Sequence, residues 1–153
     1  MRLTRFSDIS LRALMYLGAH PERAVPAAEM SERLRVSRDH LMKSLQALAA
    51  LGVVSGSRGR GGGFRLGGRA AGVRIGELVR RLEPGFELAE CFGPASRCPL
   101  TGGCRLAGAL REAQQAFLDT LDRYTLDDLV AAERPVLVGL GESPRESHGV
   151  PHH

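Results

Sequence analysis

Residues 26–66 read PAAEMSERLRVSRDHLMKSLQALAALGVVSGSRGRGGGFRL, from Pro26 to Leu66. Pro26 suits a first helical turn, where a missing N–H costs little, and the helix it opens runs to Leu34. Arg35-Val36-Ser37 then makes a three-residue break, and Ser37 is placed to cap a second helix reaching about Leu51. Leu41, Leu45, Leu48 and Leu51 form one apolar stripe on that helix. Arg38, Asp39, Lys43 and Gln46 occupy its other face. Two short helices joined by three residues form a helix-turn-helix. Gly52 closes the second of them as a C-terminal glycine. Val53–Ser57 reads as a strand, residues 58–63 as a glycine-rich tip carrying Arg58 and Arg60, and Phe64–Leu66 as the returning strand. A hairpin directly after a helix-turn-helix is the wing of a winged helix.

Working outward, Thr4 to Ala19 has apolar residues at Ile9, Ala13, Tyr16 and Leu17, at helical spacing. His20-Pro21 ends it, because the residue before proline avoids the helical basin. Arg74 to Leu82 reads as a further helix, stopped at Glu83-Pro84-Gly85. Residues 85–104 are rich in Gly, Pro and Cys and read as loop. A long helix follows from about Arg105 to Tyr124, with Leu106, Leu110, Ala113 and Phe117 at alternating 4-3-4 spacing and Leu121 and Tyr124 beyond. That seam fits helix packing across a dimer; packing on the chain's own core is the plainer alternative. Thr125 caps a last short helix with Asp127 and Asp128 in its first turn. The expected class is mainly α with a small β-hairpin: a winged helix-turn-helix with a long C-terminal dimerisation helix. The expected organisation is a DNA-binding domain at 1–83, a cysteine-containing loop at 84–104, the dimerisation helix and short terminal helix at 105–138, and a disordered tail at 139–153.

The chain has 153 residues and a net charge of +4, which allows one self-supporting core. No run approaches the roughly 20 apolar residues of a membrane span. Arg2, Arg5, Asp8 and Arg12 break up any apolar signal core, so a cytoplasmic chain is expected. The mild total hides a divide. Residues 1–82 hold 15 of the 21 basic and 6 of the 17 acidic side chains, a net +9, and the remainder carries −5. A basic front half points to an anionic partner, with nucleic acid first among the candidates. A recognition helix would present Ser37, Arg38, Asp39 and His40 to base edges, with Lys43 one turn on. Arg58 and Arg60 suit a minor groove, and Arg2 and Arg5 sit where they could reach phosphates. The bland alternative is a solvated arginine face and a floppy hairpin. A nucleotide loop is excluded, because the segment matches neither GxxxxGK[ST] nor GxGxxG. No nucleophile–base constellation stands out, so no enzyme is expected.

Three cysteines fall within 14 residues, as Cys91-x6-Cys98-x5-Cys104. Singly, each reads more simply as a packed residue. Clustered between prolines and glycines in a cytosolic chain, they point to metal chemistry. The spacing is not the paired CxxC…CxxC of a zinc ribbon. It leaves zinc and an iron–sulfur cluster both open, each needing a fourth ligand from elsewhere.

Over roughly residues 1–135 the chain resembles the iron–sulfur winged-helix repressors that include IscR-type and NsrR-type regulators. Met1-Arg2-Leu3-Thr4, Ser57-Arg58-Gly59, Gly61–Gly67 and Ile75-Gly76-Glu77-Leu78-Val79 carry the likeness. The NsrR branch fits best, through Phe6-Ser7-Asp8, Leu11–Leu14, Val36–Leu41, Leu82-Glu83-Pro84, Cys104-Arg105-Leu106 and Tyr124–Leu129. The resemblance implies a homodimeric repressor binding operator DNA and holding a 4Fe–4S cluster. Cys91, Cys98 and Cys104 match the family's three thiolate ligands. Asp8 matches the aspartate that supplies a fourth, with the chain it comes from left open, and Arg12 one turn later would orient it. The bland reading of Asp8 is a first-turn carboxylate favoured by the helix dipole. The IscR branch has a ligating histidine three residues after the last cysteine, where this chain has Ala107. Two departures stand out: six residues between Cys91 and Cys98 where the family pattern has five, and Ile9 at a position that is frequently aromatic. The implied function is nitric-oxide sensing, with nitrosylation of the cluster releasing the operator. The alternatives are an iron- or redox-sensing regulator of the same fold and, in another class, an iron–sulfur carrier or electron-transfer protein.

Overall fold

Thr4 fixes the start of the first helix, α1 (Arg5–Ala19): its hydroxyl accepts from the Ser7 N–H at 3.2 Å. The computed structural model describes residues 2–140. The expected tail at 139–153 therefore lies outside the described residues from 141 onward. α1 buries Ile9, Ala13, Leu14 and Leu17 on one face. Its buried Ser10 hydroxyl is satisfied by donating to the Phe6 carbonyl at 2.8 Å.

The helix-turn-helix forms as expected, from α2 (Ala27–Leu34) and α3 (Arg38–Ala50). Pro26 stands one residue earlier than expected, at the cap of α2 and not in its first turn. The reason lies next to it. Val25 exchanges two 2.8 Å backbone hydrogen bonds with Phe64, so the chain stays extended until it enters α2. Arg35 takes a left-handed conformation, φ 52°, at the end of α2. The Ser31 hydroxyl donates to Val36 O at 2.7 Å and holds the turn. Ser37 caps α3 by accepting from the His40 N–H at 3.2 Å. Leu41, Leu45 and Leu48 are fully buried.

β1 (Val54–Ser57) and β2 (Gly63–Leu66) pair antiparallel, Val54 opposite Leu66 and Ser57 opposite Gly63. The hairpin is thus the expected wing, and its base is stitched to the α1–α2 linker through Val25. At Gly63, φ 151°, a side chain would run into the Val25 backbone, so this approach requires glycine.

α4 (Ile75–Leu82) packs on α5 (Arg105–Leu121). Gly76 permits the approach: an added Cβ would overlap the Asp122 carboxylate and lie 2.7 Å from Leu118 O. Arg80 then pairs with both Asp122 oxygens, at 3.1 and 2.7 Å, and holds that carboxyl below the usual range. α5 ends at Leu121, short of the expected Tyr124. The Tyr124 carbonyl is instead used by the Ile75 N–H at 2.9 Å.

The expected seam along α5 divides in two. Phe117 and Leu121 pack on the chain's own core, and Phe117 stacks with Phe86 at 5.7 Å. Leu106, 66% exposed, and Ala113 remain uncovered, and Leu110 is half-buried. α6 (Leu126–Gly139) opens with the expected threonine cap, as a full capping box with Asp128. It runs 14 residues, through Pro135, and lies along α1. The architecture is mainly helical with one small hairpin, as the sequence predicts. No helix among the described residues is long and apolar enough to cross a membrane.

One buried carboxylate ties these pieces together. Glu83, the C-cap of α4, is 8% exposed. It accepts from the Thr4 N–H at 2.7 Å and the Thr4 hydroxyl at 2.8 Å. Burial alone would raise its pKa, but hydrogen bonds from Ser7 and Thr4 outweigh that and hold the carboxyl below its ordinary value. A depressed folded-state pKa adds stability above the unfolded pKa, about 4.3, and that stability is lost as pH falls through the folded value. Glu83→Gln keeps an acceptor but removes the charge. Denaturant midpoints for the two proteins should therefore differ most near neutral pH and converge on acidification. A gap that does not change with pH would contradict the account.

Candidate metal centre and nucleic-acid interface

The 84–104 segment folds around its cysteines with little regular structure. A single 3-10 turn, Glu90–Phe92, holds Cys91. Cys98 is pinned by its neighbours: its N–H donates to the Ser96 hydroxyl at 3.3 Å, and its carbonyl accepts from the Thr101 hydroxyl at 2.7 Å. Cys104 occupies the cap position of α5, where no side chain caps the helix. The positive end of that helix dipole therefore faces the site and favours negative charge there.

All three cysteines are free and half-buried, and the structure brings them together. They line one cavity of about 300 Å³ with Leu100, Thr101, Ala107 and Arg111. A second depression adjoins it, and the three cysteines line that one too. Glycine keeps the walls low: a Cβ at Gly102, Gly103 or Gly108 would meet nothing within 4 Å. Among the described residues, no three Cys, His, Asp or Glu side chains converge on one point closely enough for a single metal ion. Mononuclear zinc needs four donors at about 2.0–2.3 Å from one centre. A polynuclear iron–sulfur cluster takes one thiolate per iron, so soft sulfur donors spaced around a cavity fit it. Ala107, where the IscR branch has its histidine, faces this cavity and offers no ligand.

Asp8 stands apart from the thiols within the chain and lines neither cysteine cavity. It sits exposed in the first turn of α1, and its Oδ2 accepts from Arg12 Nη2 at 2.7 Å. Such an exposed i,i+4 pair contributes only about 0.3–0.5 kcal/mol. Arg12 also donates to the Leu34 carbonyl at 3.4 Å, at the end of α2. A short polar chain thus runs from Asp8 to the turn preceding α3.

The basic side chains separate into two classes. Arg23 pairs with Glu29, Arg80 with Asp122 and Arg81 with Glu77. Arg2, Arg5, Arg38, Lys43, Arg58 and Arg60 are all exposed, and none of them is in an ion pair among the described residues. Ser37, Arg38, Asp39, His40 and Lys43 share the open N-terminal part of α3. The Ser37 hydroxyl lies 2.6 Å from His40 Nδ1, which orients the ring from behind. Arg111 also lines the larger cysteine cavity. Its position seven residues after Cys104, on the same helix face, is the signal for it in the sequence.

The chain matches a family model described as Rrf2, iron-dependent transcriptional regulator, over residues 3–132. It is 46% identical over 147 residues to the HTH-type transcriptional repressor NsrR of Streptomyces coelicolor, a match covering 94% of this chain and 99% of that protein. Solved structures of similar fold include T. potens IscR, with TM-score 0.71, 19% identity, and 89% and 90% of the two chains covered. Oxidised Staphylococcus aureus CymR is another, with TM-score 0.68, 21% identity, and 85% and 96% covered. The family is one of transcription regulators, which agrees with the expectation of no enzyme. The family match over residues 3–132 and the 46% identity, in agreement with the winged helix-turn-helix, place the chain in the Rrf2 family of iron-dependent transcriptional regulators.

Proposed function

We propose that this chain is a homodimeric transcriptional repressor that binds operator DNA and senses nitric oxide through a 4Fe–4S cluster. Three free thiols gathered around one cavity at the start of α5 carry this reading. The 46% identity to a named repressor supports it. On the DNA side, the N-terminal residues of α3 enter the major groove, where Arg38 can pair with guanine and Asp39 can accept from cytosine. Arg58 and Arg60 at the wing tip reach a narrowed minor groove, and Arg2 and Arg5 meet phosphates. Leu106 and Ala113, not covered by the chain itself, form the dimer contact with the half-buried Leu110. The dimer sets two copies of α3 about 34–36 Å apart, one turn of DNA. The protein acts in the cytoplasm, where its DNA is.

When bound, the cluster supplies iron centres that nitric oxide can attack. Cys91, Cys98 and Cys104 would hold three of its corners, and Asp8 of a second copy the fourth. A carboxylate is a harder and weaker donor to cluster iron than thiolate, so Asp8 is the ligand most easily displaced. Arg12 orients Asp8 through its 2.7 Å bond and touches the end of α2 through Leu34 O. Release of Asp8 therefore frees α1 and, through Arg12, the turn that sets α3. The population then moves away from the DNA-binding arrangement.

Anaerobically purified protein should be brown, with iron and sulfide, and should retain a DNA fragment selected from a random pool by the same protein. Nitric oxide should weaken that complex. A colourless, zinc-loaded protein would remove the cluster, and unchanged affinity would remove the sensor role. For the wing, Arg58→Ala should weaken the complex and reduce the slope of log affinity against log salt by about one. An unaltered slope would take Arg58 out of the DNA interface.

A further inference from the structure

As cluster ligands, Cys91, Cys98 and Cys104 would be thiolates, which would make their cavity an anionic site. Negative charge drawn out of water needs compensation close by. Among the described residues, Arg111 is the only charged one lining the larger cysteine cavity. It lies on α5, seven residues after Cys104 and four after Ala107, so all three share one helix face. Helical side chains lean toward the helix N-terminus, which here means back toward Cys104. The residues it passes, Ala107 and Gly108, are small, and space at Gly108 is open.

Two further observations fix where the guanidinium goes. Its Cζ lies 5.1 Å from the centroid of the Phe92 ring, and Phe92 follows Cys91 in the chain. No acid stands three or four residues away on its own helix, where the neighbours are Ala107, Gly108, Gln114 and Gln115. Among the described residues Arg111 is in no ion pair. An arginine with no carboxylate partner leans across a cation–π contact onto the loop that carries the first thiol.

We propose that Arg111 is the positioning residue of the cluster site. It fastens the Cys91 end of the loop to α5 through Phe92, and its permanent charge offsets that of the thiolate set. The cluster's reduction potential and its retention both depend on it. This inference rests on reading the cavity as a cluster site. A nearby cation favours the reduced, more negative state of a cluster, so removing it lowers the potential.

The test uses the full chain, reconstituted anaerobically, as wild type, Arg111→Gln, Arg111→Lys and Phe92→Leu. Two quantities are measured: the midpoint potential and the rate at which a chelator extracts iron. Arg111→Gln should move the potential negative by about 59 mV, a tenfold change for one electron, and lose iron about tenfold faster. Arg111→Lys keeps the charge but not the planar stack, and Phe92→Leu keeps the arginine but not the ring. Both should lose iron faster at an unchanged potential. An Arg111→Gln potential equal to wild type overturns the proposal while leaving the cluster reading intact. Should Arg111→Gln fail to fold, a displaced potential in Arg111→Lys overturns the charge role by itself. A wild-type chain that takes up neither iron nor sulfide overturns both the proposal and the reading beneath it.

Discussion

The buried carboxylate of Glu83 joins two points of the chain that are 79 residues apart in sequence. On one side is Thr4, whose hydroxyl caps α1 and so fixes where that helix begins. On the other is the last residue before Pro84, where the chain leaves α4 for the cysteine loop. Asp8 lies one helical turn beyond Thr4, and the helix-turn-helix packs against the same α1. The start of the loop and the start of the carboxylate-bearing helix are therefore held at one point. A buried carboxylate is worth retaining only while its hydrogen bonds are made. Movement of the loop away from α1 would strand it.

Around that point the charge is sorted by use. Arg23, Arg80 and Arg81 have carboxylate partners and belong to the architecture. The cations of α3 and of the wing tip stay exposed without an ion pair among the described residues. That is the arrangement in which positive charge remains available to phosphates. The modest overall +4 thus conceals a basic front half rich in exposed guanidinium and a remainder of opposite sign. Arg111, on the wall of the cysteine cavity and in no ion pair among the described residues, belongs to neither group.

Local chemistry made much of this fold legible. Ser37 and Thr125 cap the helices their positions predict, and Gly52 closes α3 with φ 76°. The Leu41, Leu45 and Leu48 stripe is buried as its period requires. Long-range geometry was not legible. A single bridging residue such as Val25 leaves no alternation to read, and its pairing with Phe64 displaced Pro26 to the cap position. The α5 seam looked continuous because a heptad-like pattern cannot tell a partner's core from the chain's own. Phe117 and Leu121 went to the latter. At the site, the cysteine spacing located the cavity, while the Arg111–Phe92 contact depends on how a loop without regular structure folds back. The separation of Asp8 from the thiols within one chain could not be read from residue order at all.

That separation makes Asp8 decisive, because it lies on α1, against which the helix-turn-helix packs, and the proposed function assigns it to a cluster at the start of α5. The most direct measurement is the visible circular dichroism of the anaerobic cluster in wild type and in Asp8→Ala. The variant's spectrum should change, with the cluster still held by Cys91, Cys98 and Cys104. An identical spectrum would make Asp8 an ordinary first-turn carboxylate and would sever the proposed link between cluster and recognition helix.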